Sequence, residues 1–132
     1  MPDACPCGLP AAYDACCGRF HRGDAAAPTA ELLMRSRYAA FAVGDAGYLR
    51  ATWHPDTRPP RVRLDPGDAW TGLQVVGRTG GGLFDTAGTV AFRAHHRGGV
   101  VAEDSAFTRV DGRWLYVGPV SDPFTTPPGR RS

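Results

Sequence analysis

Four cysteines stand in the first seventeen residues, Cys5, Cys7, Cys16 and Cys17, and the rest of the 132-residue chain has none. The stretch CPCGLPAAYDACCG reads as C-x-C-x8-C-C, two thiol pairs separated by eight residues. A head of about twenty residues cannot bury enough apolar surface to fold alone, so something other than a hydrophobic core must hold it. Four thiolates meet the tetrahedral, closed coordination of structural zinc, and metal binding supplies folding free energy on the order of 10 kcal/mol. The expected cofactor is therefore one structural zinc ion on Cys5, Cys7, Cys16 and Cys17. Gly8 and Gly18 follow the two pairs and are read as tight turns. Arg19 and Arg22 stand where they would offset the negative charge of the thiolates.

Other readings of the cluster compete. His21 is an alternative fourth ligand, because imidazole also binds zinc and adjacent cysteines need a particular geometry to share one ion. A disulfide is disfavoured in a reducing compartment, and redox catalysis lacks its C-x-x-C at the head of a helix. The compartment follows from the N-terminus, where no basic stretch precedes an apolar one, and no segment nears the roughly 18 apolar residues of a membrane span. A soluble, cytoplasmic protein is expected. The 15 basic and 13 acidic residues are scattered, and all 15 basic residues are arginine in a chain that also lacks asparagine and isoleucine. That pattern fits codon bias, and no basic block advertises nucleic-acid binding.

Beyond the head, APTAELLMRSRYAAFAVGD offers Thr29 as an N-cap and Gly44 as a stop, with Leu33, Met34, Tyr38, Phe41 and Ala42 at helical spacing. A helix near 29–43 is predicted. A second short helix starts from an Asp45 cap, carries Tyr48, Leu49 and Trp53 on one face, and ends before Pro55. DTRPPRVRLDPGD, with three prolines in 13 residues, reads as an irregular crossing. From Trp70 the pattern turns to four strands, AWTGLQVVGRT, GTVAFRAHH, GVVAEDSAFTRVD and RWLYVGPV. They are divided by GGG, GG and the hairpin dipeptide Asp111-Gly112. Val90, Phe92 and Ala94 share one strand face, as do Val101, Glu103, Ser105 and Phe107. Helices followed by a four-stranded meander predict an α+β fold with the helices on one face of an antiparallel sheet.

CPCGLPAAYDACCG resembles the SEC-C motif, the zinc-binding element at the C-terminus of many SecA translocation ATPases, in its ligands, spacing, Gly8, Tyr13 and Gly18. It departs at LPAAYDA, where Ala11, Ala12 and Asp14 replace a serine and the usual lysines. LMRSRYAAFAVGDAGYLRATWHP, WTGLQV, VAFRA and FTRVDGRWLYVGP are similar to the YchJ-type family of bacterial proteins, over about residues 4–118. That resemblance implies a zinc knuckle (1–23), a nuclear transport factor 2-like domain (24–122) in which helices pack on a curved four-stranded antiparallel sheet, and a Pro-rich tail (123–132). Many such proteins carry a second SEC-C copy at the C-terminus. SDPFTTPPGRRS has no cysteine, so one zinc per chain is expected.

The implied cone is cup-shaped, and fold alone does not choose a function for it. Candidate pocket residues are Tyr38, Trp53, His54, Trp70, His96, Glu103 and Ser105. A histidine and a carboxylate within reach of each other in an apolar pocket suit acid/base chemistry. The plainer readings make His54 a backbone cap, His95 and His96 a solvated hairpin end, Glu103 a cross-strand partner of Arg93, and Trp53, Trp70, Trp114 and Tyr116 core or rim. No G-x-S-x-G, H-E-x-x-H or phosphate-cradling loop occurs, and TGGGLF reads as a turn. The favoured function is a non-enzymatic binding or adaptor module, with a protein partner on the zinc knuckle and a homodimer through the sheet as expected contacts. The alternative is a small-molecule enzyme or binder using His54 and Glu103 in the cup.

Overall fold

The computed structural model describes residues 4–62, 64 and 70–120. A 3-10 turn (Tyr13–Ala15) and helix α1 (Cys17–His21) lie in the head, followed by α2 (Ala30–Val43) and α3 (Ala46–Ala51). Four strands complete the domain: β1 (Trp70–Gly80), β2 (Ala87–His96), β3 (Gly99–Val110) and β4 (Arg113–Pro119). They form one antiparallel sheet in the order β1-β2-β3-β4, the meander expected from the turn residues. The Pro-rich crossing has no helix or strand in its described part, and the tail at 123–132 lies outside the described residues.

Local chemistry accounts for the boundaries. The Thr29 side chain accepts from the Leu32 amide, and Gly44 ends α2 with φ 81°, a left-handed value that costs glycine least. Asp45 caps α3 by accepting from the Tyr48 amide at 3.0 Å. The β3–β4 turn has φ 52° at Asp111 and 80° at Gly112, the paired positive values of a type I′ hairpin. The GGG turn is tied to α2 as well, since the Gly81 carbonyl accepts the Ala30 amide at 3.0 Å. The predicted second helix stops earlier than its pattern suggested. Trp53 leaves the helix to form a parallel bridge with Tyr116, and the His54 amide donates to the Tyr116 carbonyl at 2.8 Å.

The strand register puts Val90, Phe92 and Ala94 of β2 opposite Ser105, Glu103 and Val101 of β3, so both sets face one side. On that side α2 packs with Leu33, Met34 and Tyr38 buried against Val90, Ala94, Phe107 and Trp114. Ala42, assigned to the apolar stripe by its spacing, is exposed in the last turn of α2. The register also corrects the expected Arg93–Glu103 pair: Arg93 lies opposite Ala102 and points to the other face.

Urea unfolding checks this account. Thr29→Ala is expected to cost about 1 kcal/mol through the lost cap. Leu33→Ala, at a fully enclosed position, is expected to cost about 2–5 kcal/mol.

Candidate metal centre and cup pocket

The sequence-distant thiol pairs meet because the chain folds back through a miniature hairpin. The Cys5 amide donates to the Ala11 carbonyl at 2.9 Å, and Ala4 bridges Ala12. Gly8 makes the expected turn, with φ 92° and its amide on the Cys5 carbonyl. Gly18 has another role. It is helical and buried, and a Cβ there would lie 2.7 Å from the Tyr13 carbonyl oxygen, so close approach and not a turn excludes a side chain.

Cys5, Cys7, Cys16 and Cys17 are all buried, and their four sulfurs lie within 4.8 Å of one another. Cys7 and Cys16 Sγ are 3.7 Å apart. A tetrahedral zinc–thiolate site has sulfurs about 3.8 Å apart, given a metal–sulfur distance of about 2.3 Å, so the four can hold one such ion. None is in a disulfide. The Cys7 thiol is pulled down to about 5, first by a hydrogen bond from Cys17, with burial opposing. Cys16 is pushed up to about 11, chiefly by burial, and Cys17 is pushed up as well, first by its bond to Cys7. Within the cluster, hydrogen bonds from its neighbours thus favour the Cys7 thiolate, while burial and the bonds to Cys7 oppose ionisation of Cys16 and Cys17. A cation among the sulfurs removes that resistance, because each added thiolate then gains a ligand bond.

His21 is not part of this cluster. Its Nε2 faces the Ser36 carbonyl at 2.8 Å and so donates to it, which leaves Nδ1 to accept from the Tyr13 hydroxyl at 2.5 Å. The arginines also act differently from the expectation. Arg22 pairs with Asp14 and Asp24, and Arg19 lies over the Phe20 ring while donating to the Cys16 carbonyl. A further cation reaches the knuckle from outside it: Arg35 of α2, whose Nη1 donates to the Cys7 carbonyl at 2.8 Å while Nε pairs with Glu31. Ala39 of α2 packs directly on the cysteine cluster.

Between α2 and the sheet lies a half-open cavity of about 200 Å³. Five of the seven sequence-predicted residues line it: Tyr38, Trp53, Trp70, Glu103 and Ser105. His54 and His96 do not. His54 Nδ1 accepts the Asp56 amide, while His96 stacks on Trp70 at 5.2 Å and accepts the Gly98 amide. His54 is therefore the backbone cap of the plainer reading, and the His54–Glu103 acid/base pair has no common pocket.

Pattern reasoning overlooked Arg37. It is 6% exposed and lines the cavity, and its Nη1 donates to the Leu49 carbonyl and the Thr52 hydroxyl at 2.7 and 2.8 Å. Its guanidinium lies 5.1 Å from the Trp53 ring and 4.5 Å from the Tyr116 ring. Burial lowers its pKa to about 10, which leaves it charged at neutral pH. Among the described residues no carboxylate forms an ion pair with it. Glu103 instead accepts from the Ser105 and Tyr116 hydroxyls, the latter at 2.9 Å. Burial and the Glu103 charge push Tyr116 up, so it remains a donor. The signal for Arg37 was legible, since it falls four residues after Leu33 and four before Phe41 on the apolar stripe.

Residues 29–119 match the family model described as the YchJ middle NTF2-like domain. A UPF0225 protein of Streptomyces coelicolor is 62% identical over 112 residues, 85% of this chain and 90% of that protein. The chain belongs to the UPF0225 family. A UPF0225 protein of Corynebacterium glutamicum is 51% identical over 119 residues, 88% of this chain and 95% of its own. Among solved structures, a SEC-C motif containing protein from Rhodopseudomonas palustris superposes with a TM-score of 0.75 at 34% identity, covering 92% of this chain and all of that one. Another from Psychrobacter arcticus gives 0.69 at 27%, covering 93% and 85%. The UPF0225 chain described here is thus an NTF2-like domain with a SEC-C-type cysteine cluster, and among its described residues no helix is long and apolar enough to cross a membrane.

Elemental analysis separates the ligands. Cys7→Ser and Cys17→Ser chains are each expected to lose the stoichiometric metal, whereas His21→Phe retains it.

Proposed function

We propose that this protein is a non-enzymatic binding protein in which one structural zinc ion braces the N-terminal knuckle against α2 and the cup behind α2 receives a small molecule. The carrying observation is the cavity of about 200 Å³ with a buried guanidinium that no carboxylate pairs with among the described residues. A buried charge held by neutral groups and not by an ion pair costs stability, and such a cost points to a use in the cavity. Helix α2 links the two regions. Arg35, Ser36 and Ala39 meet the knuckle, while Met34, Arg37, Tyr38 and Phe41 line the cavity.

Catalysis has weaker support. Four thiolates leave no open coordination position for water, and no histidine lines the cavity. A protein partner on the knuckle also has weaker support, because Arg22 is already neutralised by Asp14 and Asp24 and the Arg19 guanidinium rests on Phe20.

Two measurements test the reading. Purified protein is expected to carry one zinc per chain, and chelation at neutral pH is expected to lower the thermal midpoint by more than about 10 °C. In a ¹⁵N-labelled sample, single-ring probe compounds are expected to shift the amide signals of Phe92, Glu103, Ser105 and Phe107. Absence of zinc would remove the brace. Failure of every ring probe to move those four signals would remove the cup as a ligand site.

A further inference from the structure

The walls of the cavity are mainly flat rings: Tyr38, Phe41, Trp53, Trp70, Phe92 and Phe107 among them. A void of about 150 Å³ lined by apolar side chains holds a benzene ring, so about 200 Å³ admits one ring with a small substituent. Aromatic walls favour a planar occupant, which they can stack against or meet edge-on.

The polar groups are gathered around Tyr116, whose ring carries the Arg37 guanidinium on its face and whose hydroxyl donates to Glu103. Both N–H groups of Arg37 Nη1 are used by Leu49 and Thr52, and its Nε and Nη2 have no partner among the described residues. The indole N–H of Trp53, which flanks the guanidinium, has no acceptor among the described residues and is buried out of reach of the cavity. Glu103 Oε2 takes both hydroxyl donors, and Oε1 has no partner among the described residues. The cavity is therefore lined at one end by Arg37 with spare donors and Glu103 with a spare acceptor, and by rings elsewhere. Its two charged groups, one cation and one carboxylate, already balance. An added cation would face Arg37, an added anion would face Glu103, and either would meet a like charge at low dielectric.

Resting on the reading of the cup as a ligand site, we propose that its ligand class is a small, neutral, planar ring bearing an amide or lactam edge. The carbonyl oxygen accepts from Arg37, the N–H donates to Glu103, and the ring lies among the aromatic walls. This is non-covalent recognition, and no bond is made or broken.

Benzamide is the probe, compared with benzoate, benzylammonium and toluene by NMR titration of the zinc-loaded protein. Benzamide is expected to bind at least about tenfold more tightly than each of the other three, because a hydrogen bond to a charged group is worth a factor of that size or more. Glu103→Gln, which keeps shape, is expected to weaken benzamide severalfold and leave toluene unchanged. Arg37→Gln adds a second comparison where it folds, and the Glu103 variant does not depend on it. Benzoate or benzylammonium binding as well as benzamide would overturn the neutral class while leaving the cup a ligand site. Toluene matching benzamide in every variant would overturn the role of the polar groups and likewise spare the cup. No cavity shift with any of the four would overturn this proposal and the cup reading together.

Discussion

Helix α2 is buried on two sides, and the rest of the structure depends on that double burial. One side carries Leu33 and Met34 onto Val90 and Phe107 of the sheet. Around the helix, Ala39 packs on the cysteine cluster, Arg35 holds the Cys7 carbonyl, and the Ser36 carbonyl takes the His21 imidazole. A helix that is apolar on one stripe alone needs one partner layer; α2 has small or hydrogen-bonding residues where the second partner sits, which lets that partner approach closely. The knuckle is thus attached through backbone carbonyls, the Ala39 methyl group and the Phe20 ring, which is buried in the main core. Its own cohesion rests on the buried thiol cluster and on the hairpin bonds around it.

The cup shows a trade between stability and use. A well-filled core would leave no void and no buried cation, and both are present between α2 and the sheet. Arg37 is accommodated by two neutral acceptors and two aromatic faces, which spread its charge without cancelling it. Glu103 is accommodated in the same manner by two hydroxyls. Each charge is supported by neutral groups while the opposite charge remains near, an arrangement that keeps the cavity balanced yet leaves donors and acceptors unspent.

The readable parts of this chain were those written in local pattern. The Asp111-Gly112 hairpin, the Thr29 and Asp45 caps and the alternation of Val90/Phe92/Ala94 and Glu103/Ser105/Phe107 each depend on a few neighbouring residues, and each appears where its pattern predicted. Misreadings arose where a residue's role is set by a distant partner. Gly18 was taken for a turn because of its position after a thiol pair, but it is the Tyr13 carbonyl that forbids a side chain there. His21, an alternative fourth ligand by its place in the sequence, has both nitrogens engaged by Ser36 and Tyr13. Trp53 reaches the cavity because its backbone bridges Tyr116, a contact that no local pattern encodes.

By itself the sequence determined that four thiols would have to replace a core in the head and that a helical segment would precede a four-stranded meander, because metal-ligand spacing, caps and strand alternation act over short stretches of chain. Only the tertiary structure decided which groups share the cup. It joined Arg37 and Trp53 from the helical segment to Glu103, Ser105 and Tyr116 from the sheet, and it left His54 and His96 outside. The physical reason is that the face a residue presents follows from its local period, whereas its neighbours across the cavity follow from strand register and from the angle at which α2 crosses the sheet.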